Sequence, residues 1–268
     1  MIKLIAIDLD GTLFNNKKEI TERNKAAITK AKEQGVKVVI CTGRPLKAIV
    51  HIIQELGLDE DGDYAITFNG GLAQRNHSGE ILDQKTMDID TARKVVAFLA
   101  ENDLPATLIH DSNAYEIAAA NPSLYRKGNI RLTFHDIEAS EIRDDMICNK
   151  IVTAVEAKIL DAKIASFPKD ALPEVEMVKS QEFLLEFLPK GVSKAYGLGK
   201  LCDYLGIDAS EVMAIGDEAN DLPMIEYAGV GVAMKNAVDE VKAIAQVITD
   251  DNEHDGVAKI IEKMVLGG

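Results

Sequence analysis

Residues 5–13 read Ile-Ala-Ile-Asp-Leu-Asp-Gly-Thr-Leu, and this segment constrains the fold most. Ile2, Leu4, Ile5 and Ile7 predict a buried strand, and Gly11 marks its exit into a loop. In extended chain, residues two apart point to the same side. Asp8 and Asp10 can then face one small volume at the carboxyl end of a strand, where open α/β sheets place their ligands. Two like charges that close are costly unless they share a cation or a proton. The pairing points to a Mg²⁺ site with one carboxylate left to do chemistry.

The rest of the chain alternates in the way such a sheet requires. A helix is expected over 21–33, with Thr21 as its cap and Gly35 beyond its end. A second buried strand covers 36–41. A helix then opens at Pro45 and runs to about Leu56. A short strand over 64–68 ends at Asn69-Gly70-Gly71, a turn signal, and a hairpin-like stretch follows with Gly79 at its tip. The middle departs from strict alternation. Helices are expected over 88–102 and 156–167, and extended segments over 106–110, 115–118, 151–155, 175–178 and 183–188, with a polar irregular stretch over 121–131. This mixture suggests a separate α+β module that ends at Pro189-Lys190-Gly191. Alternation resumes afterwards, with helices over 193–205, 221–227, 238–245 and 257–265 and strands over 212–215, 230–233 and 247–248. The expected fold is α/β: a parallel-sheet core made from both chain ends, with a module inserted between them.

With 268 residues the chain can bury a sizeable core in one large or two modest domains. Its formal net charge of -14 disfavours nucleic acid and anionic membranes as partners, since both want a basic surface. A phosphorylated metabolite stays open, because a metal ion and one lysine can set the local field. Cys41, Cys148 and Cys202 are scattered and show neither ligand spacing nor a disulfide framework, which fits a reducing cytoplasm. Acids at positions 8 and 10 leave no signal-peptide core at the N-terminus, and no apolar run is long enough to span a bilayer.

Three further segments carry chemistry. Thr42-Gly43-Arg44-Pro45 follows the second strand. A helix opening there aims free N–H groups at the strand ends, so the Thr42 hydroxyl and the Gly43 N–H can hold phosphate oxygens. Arg44 can reach a substrate or the inserted module. Gly216-Asp217-Glu218-Ala219-Asn220-Asp221 follows another buried strand and puts Asp217 at a strand end, as Asp8 is. Asp8, a backbone carbonyl at Asp10 and Asp217 would supply Mg²⁺ with oxygen ligands, with Glu218 taking part through a water. Asn220 can donate to a phosphate oxygen, while Asp221 braces the shell or caps the next helix. Lys194 sits at a helix start, where a cation opposes the macrodipole; binding an anion would resolve the anomaly. Singly, each fragment has a plainer reading: turn aspartates, a capping threonine, a solvated lysine. Together they supply a nucleophile (Asp8), an acid/base (Asp10), a metal and a phosphate cradle, the parts phosphoryl transfer needs.

These four segments resemble the motifs of the haloacid dehalogenase-like phosphohydrolase superfamily. The long insert, together with residues 185–194 and 227–234, resembles the Cof-type branch with its large class IIB cap, and within it sugar-phosphate phosphatases. The resemblance runs nearly end to end. It implies a Rossmann-like core over 1–82 and 190–268, a cap over 83–189, and an Mg²⁺-dependent phosphomonoesterase working through an aspartyl-phosphate. It makes Asp8 nucleophile and metal ligand, Asp10 acid/base and a ligand through its carbonyl, and Asp217 a ligand. The Leu9 N–H, Thr42, Gly43, Lys194 and Asn220 would hold phosphate. Ala195 departs from the glycine common after the lysine, with a packing effect expected. A sugar phosphomutase on the same scaffold is the alternative, and a silent binding protein would need a broken motif. His110, His135, Cys41, Tyr115 and Tyr125 read as structural residues, and 250–253 as a solvated loop.

Overall fold

Ile5, Ala6 and Ile7 have no exposed surface, because the strand they form lies inside a sheet. The computed structural model describes residues 1–128 and 131–267. Its elements begin with β1 (Leu4–Ile7), α1 (Glu22–Glu33), β2 (Lys37–Cys41), α2 (Leu46–Glu55), β3 (Tyr64–Thr67), β4 (Leu72–Arg75) and β5 (Ile81–Gln84). There follow α3 (Ile89–Glu101), β6 (Ala106–His110), β7 (Asn113–Ile117), α4 (Tyr125–Gly128), β8 (Thr133–Asp136), β9 (Lys150–Ala154), α5 (Ala157–Ser166), β10 (Val175–Gln181) and β11 (Leu184–Pro189). The last set is α6 (Lys194–Leu205), β12 (Val212–Gly216), α7 (Leu222–Tyr227), β13 (Val230–Ala233), α8 (Asp239–Ile244), β14 (Val247–Ile248) and α9 (Gly256–Met264).

The chain divides into two compact units. One comprises Met1–Arg44, Ile49–Gln84 and Ser193–Gly268; the other comprises Pro45–Ala48 and Lys85–Val192. The first unit holds a sheet in the order β14-β13-β12-β1-β2-β3-β4-β5. Pairing is parallel from β14 through β3 and antiparallel for β4 and β5. Strands buried on both faces read as continuous apolar runs, as Leu-Ile-Ala-Ile and Val-Met-Ala-Ile do. Helix starts follow their caps: Thr21 accepts from the Asn24 N–H, and Ser193 accepts from the Tyr196 N–H. β1 lies between β12 and β2, so strands from opposite ends of the chain meet at one point.

The second unit holds a sheet in the order β10-β11-β9-β6-β7-β8, antiparallel except for β7 with β8. Val95, Val96 and Leu99 of α3 and Leu160 of α5 pack on Leu108, Ile151, Leu185 and Phe187. Glu186, between Leu185 and Phe187 in the alternation, instead pairs with Lys150 at 2.7 Å, both side chains 3% exposed. The sequence reading leaves 121–131 irregular and has no strand at 133–136; α4 and β8 lie there, and positions 129 and 130 fall outside the described residues. Among the described residues, no helix is long and apolar enough to cross a membrane.

Candidate active site

Parallel strands from distant sequence end side by side, and each hands its next residue to the same place. Asp8 follows β1, Thr42 follows β2, Asp217 follows β12, and Asn69 stands two residues past β3. This is the crevice where open α/β sheets bind ligands. Asp8, Thr42 and Asp217 are 7, 2 and 6% exposed.

Lys194 opens α6 and is fully buried, with Nζ 2.5 Å from Asp8 Oδ1 and 2.5 Å from Asp221 Oδ1. Asp221 is saturated: its other oxygen accepts the Asp217 and Glu218 N–H groups at 2.9 and 3.1 Å. It therefore braces the turn and the lysine. Asp8, Asp217 and Asp221 each offer an oxygen within 4.8 Å of the others. Burial pushes the Asp8 carboxyl up to about 7 despite the ammonium beside it. Burial, then the Asp8 charge, push Asp217 up to about 8. Burial would strip the proton from Lys194, but Asp221 and Asp8 hold it on and raise its pKa. With all three carboxylates ionised, the one ammonium would leave two negative charges uncompensated within this cluster. A divalent cation with hard oxygen ligands fits that deficit, and Mg²⁺ prefers such a donor set. Asp8 and Asp217, unlike the saturated Asp221, could hold such an ion.

The loop between β1 and α1 is shaped for this. Gly11 has φ 82°, and a Cβ there would lie 2.1 Å from Asp217 Oδ2. Thr12 is buried and donates to Asp217 Oδ1 at 2.7 Å. Asn236 donates to the Gly11 carbonyl at 2.8 Å. Leu9 follows Asp8 with its side chain buried. Asp10 points elsewhere: Arg44 Nε reaches its Oδ2 at 3.0 Å, Arg44 Nη2 reaches both oxygens at 2.9 Å, and Lys18 Nζ reaches Oδ1 at 2.6 Å. Burial raises the Asp10 carboxyl, but the Arg44 charge and Lys18 outweigh it and hold it below the usual range.

Arg44, expected to reach a substrate or the inserted module, is thus bound to Asp10. Glu218, expected near the metal, lies outside the carboxylate cluster; it is the N-cap of the turn 219–221, where its side chain accepts the Ala219 N–H. Asn220 donates to Asn69 Oδ1 at 3.2 Å, and the Asn69 N–H donates to the Thr42 carbonyl at 3.1 Å. Gly43 sits between Thr42 and Arg44 in the same turn, and the Arg44 N–H donates to the Thr42 hydroxyl at 3.2 Å. Asn69 is a residue the sequence reading missed. Its signal was an Asn-Gly pair at a strand end, and its φ of 55° is the left-handed conformation asparagine tolerates.

The other side chains singled out in the sequence have local partners. Burial pushes the Cys41 thiol up to about 12, which disfavours its thiolate. His135 stacks on Tyr115 at 5.0 Å, His110 contacts Asn149, and Tyr125 packs edge-on to Phe134. Residues 250–253, read as a solvated loop, are instead an anchor. Asn252 is buried and donates to the Phe14 carbonyl at 2.9 Å, while Glu253 accepts the Asn16 N–H at 2.6 Å.

A model of the haloacid dehalogenase-like hydrolases matches residues 5–261. YxeH of Bacillus subtilis, provisionally assigned as a phosphatase, is 38% identical over 268 residues, 99% of each chain. YcsE of Bacillus subtilis, a 5-amino-6-(5-phospho-D-ribitylamino)uracil phosphatase, is 33% identical over 99% of this chain and 96% of its own. The crystal structure of a haloacid dehalogenase-like hydrolase from Bacteroides thetaiotaomicron is 31% identical, with a TM-score of 0.85 over 98% of this chain and 100% of that one. The chain belongs to the haloacid dehalogenase-like hydrolase family.

Proposed function

We propose that this hydrolase is an Mg²⁺-dependent phosphatase of small phosphorylated metabolites, sugar phosphates foremost, working through an aspartyl-phosphate on Asp8. The reaction class, phosphoric monoester hydrolysis, is that of its named relatives. The observation that carries the finer reading is the buried Lys194 bound to Asp8 and Asp221, with Asp217 completing a cluster two positive charges short.

Asp8 acts as the nucleophile: one of its oxygens bonds to phosphorus as the ester oxygen leaves. Lys194 fixes Asp8 and meets the negative charge of the phosphoryl group. Asp10, which lies ionised against Arg44 and Lys18, would have to turn from them and take up a proton before giving one to the leaving oxygen; it would then take one from the water that releases phosphate from Asp8. Thr42, Gly43, Asn220 and the Leu9 N–H hold phosphoryl oxygens, the turn being propped by Asn69. Asp8, Asp217 and the Asp10 carbonyl would hold Mg²⁺, with Glu218 taking part through a water, and the ion would supply positive charge for the phosphoryl group. No basic surface for nucleic acid enters this account, and three free buried cysteines fit a cytoplasmic protein.

The test is a phosphate-release screen over sugar, nucleotide and cofactor phosphates, with and without Mg²⁺, beside Asp8→Asn. Mg²⁺-dependent release that Asp8→Asn abolishes is expected. Undiminished release by the variant overturns the mechanism, and isomer formation from hexose phosphates without release would make the protein a mutase.

A further inference from the structure

We propose that the cavity between β14 and α9 is a second, non-catalytic binding site that takes a small phosphorylated ligand with an apolar ring, such as a nucleotide. It lies within the first unit, and none of the residues of the Asp8 cluster line it. The inference stands apart from the phosphatase reading above. The cavity measures about 400 Å³, inside the range of small-molecule sites, about 300–1,000 Å³.

Three lysines meet there. Lys235 follows β13, and Lys259 and Lys263 stand about one turn apart on α9. Asp250 is the one carboxylate among the described residues that line the cavity. Its Oδ2 lies 2.6 Å from Lys259 and its Oδ1 lies 3.5 Å from Lys235, while Lys263 forms no ion pair among the described residues. The bond from Lys259, and after it the Asp251 N–H, hold the Asp250 carboxyl down at about 2, so it is ionised at neutral pH. Three ammonium groups against one carboxylate leave two positive charges in the cavity, on a chain whose formal charge is -14. The acids nearby in sequence are engaged elsewhere. Asp251 Oδ1 accepts the Glu253 N–H and contacts the His254 ring, Asp255 accepts the Thr21 hydroxyl, and Glu262 binds Arg23.

Val247 and Ile248 form an apolar wall beside the lysines, and Ile248 is 55% exposed. An open isoleucine next to ammonium groups suits a ligand charged at one end and apolar at the other. The walls are braced by their own bonds. The Thr249 hydroxyl donates to the Gly256 carbonyl at 2.6 Å, and the Lys235 N–H donates to the Asp250 carbonyl at 3.4 Å. The plainer reading is that these lysines guard an edge strand against pairing with another chain. β14 is an edge strand, but it has two residues, and a strand that short is already a poor template. Guarding also asks for charge on the strand itself, whereas these lysines come from α9 and from the turn after β13.

The experiment is calorimetric titration without Mg²⁺ in about 0.1 M NaCl, which screens loose surface attraction. The probe is α,β-methylene-ADP, whose terminal phosphorus is bonded to carbon and so resists hydrolysis; adenosine is its uncharged control. The proteins are the wild type, Lys259→Gln/Lys263→Gln, Lys259→Arg/Lys263→Arg, Asp8→Asn, and Lys158→Gln/Lys169→Gln. The last removes the same charge from exposed positions in the second unit. The wild type, Asp8→Asn and Lys158→Gln/Lys169→Gln are expected to bind the nucleotide alike, and the arginine pair to keep most of that affinity. Lys259→Gln/Lys263→Gln should bind at least about tenfold more weakly, and adenosine should bind the wild type weakly as well. No binding to the wild type at about 1 mM nucleotide overturns the proposal. So does equal binding by Lys259→Gln/Lys263→Gln, failure of the arginine pair to bind, an equal loss in Lys158→Gln/Lys169→Gln, or adenosine binding as well as the nucleotide. Loss of binding in Asp8→Asn overturns it too, since the nucleotide would then sit at the Asp8 cluster. None of these outcomes bears on the phosphatase reading.

Discussion

Lys194 lies fully buried between Asp8 and Asp221, and the sign of its environment keeps it charged. Replacing it with methionine leaves two buried carboxylates facing each other without their ammonium. Removing one partner of a buried pair costs about 3–5 kcal/mol. Lys194→Met should lower the unfolding midpoint in guanidinium accordingly and abolish phosphate release; an unchanged midpoint would contradict the charge balance described here. Asp8, Thr42, Lys194 and Asp217 could be picked out in the sequence because each directly follows an apolar strand or opens a helix. Thr12 could not, because its partner Asp217 is 205 residues away. Asn252 was hidden in an acidic run whose usual meaning is a solvated surface, and only the turn it holds identifies it.

Elements place these residues by strand order. β12, β1, β2 and β3 are consecutive in the sheet, so the residues that follow them converge without any long-range design in their own sequences. The strands and helices of this unit were legible to within a residue or two, since buried parallel strands read as unbroken apolar runs between helix caps. β8 was not legible: Thr-Phe-His-Asp is mostly exposed at a sheet edge, and its partner β7 supplies the order. The approach of α6 to the turn after β3 was also invisible. Gly70 has φ 97°, and a Cβ there would lie 1.9 Å from the Ser193 carbonyl, next to Lys194. Gly70→Ala should therefore push back the start of α6, costing about 1–3 kcal/mol through strain and overpacking. Thermal unfolding and phosphate release should both fall; full activity in this variant would show that α6 can move without moving its lysine.

The whole molecule carries a formal charge of -14, and three of its acids lie buried around one ammonium. Asp8 and Asp217 are raised to about 7 and 8, so the metal-free folded protein keeps protons that the unfolded chain has already lost. The unfolded state then binds fewer protons between about pH 4 and pH 8, and these two groups make stability fall as pH rises across that window. Asp10 acts in the opposite sense at lower pH, its depressed pKa contributing stability that is lost on acidification. If these carboxylates are the Mg²⁺ site, the ion binds their deprotonated form and should raise the melting temperature more at pH 8 than at pH 5. An Mg²⁺ effect equal at both values would remove the carboxylate cluster as its site. The central claim is that Asp8 itself carries the phosphoryl group during turnover. Rapid acid quench of the enzyme during turnover, followed by borohydride reduction and peptide mass spectrometry, reads this directly. The account predicts conversion of Asp8 alone to homoserine; active turnover with Asp8 unmodified, or with the label on another residue, would contradict it.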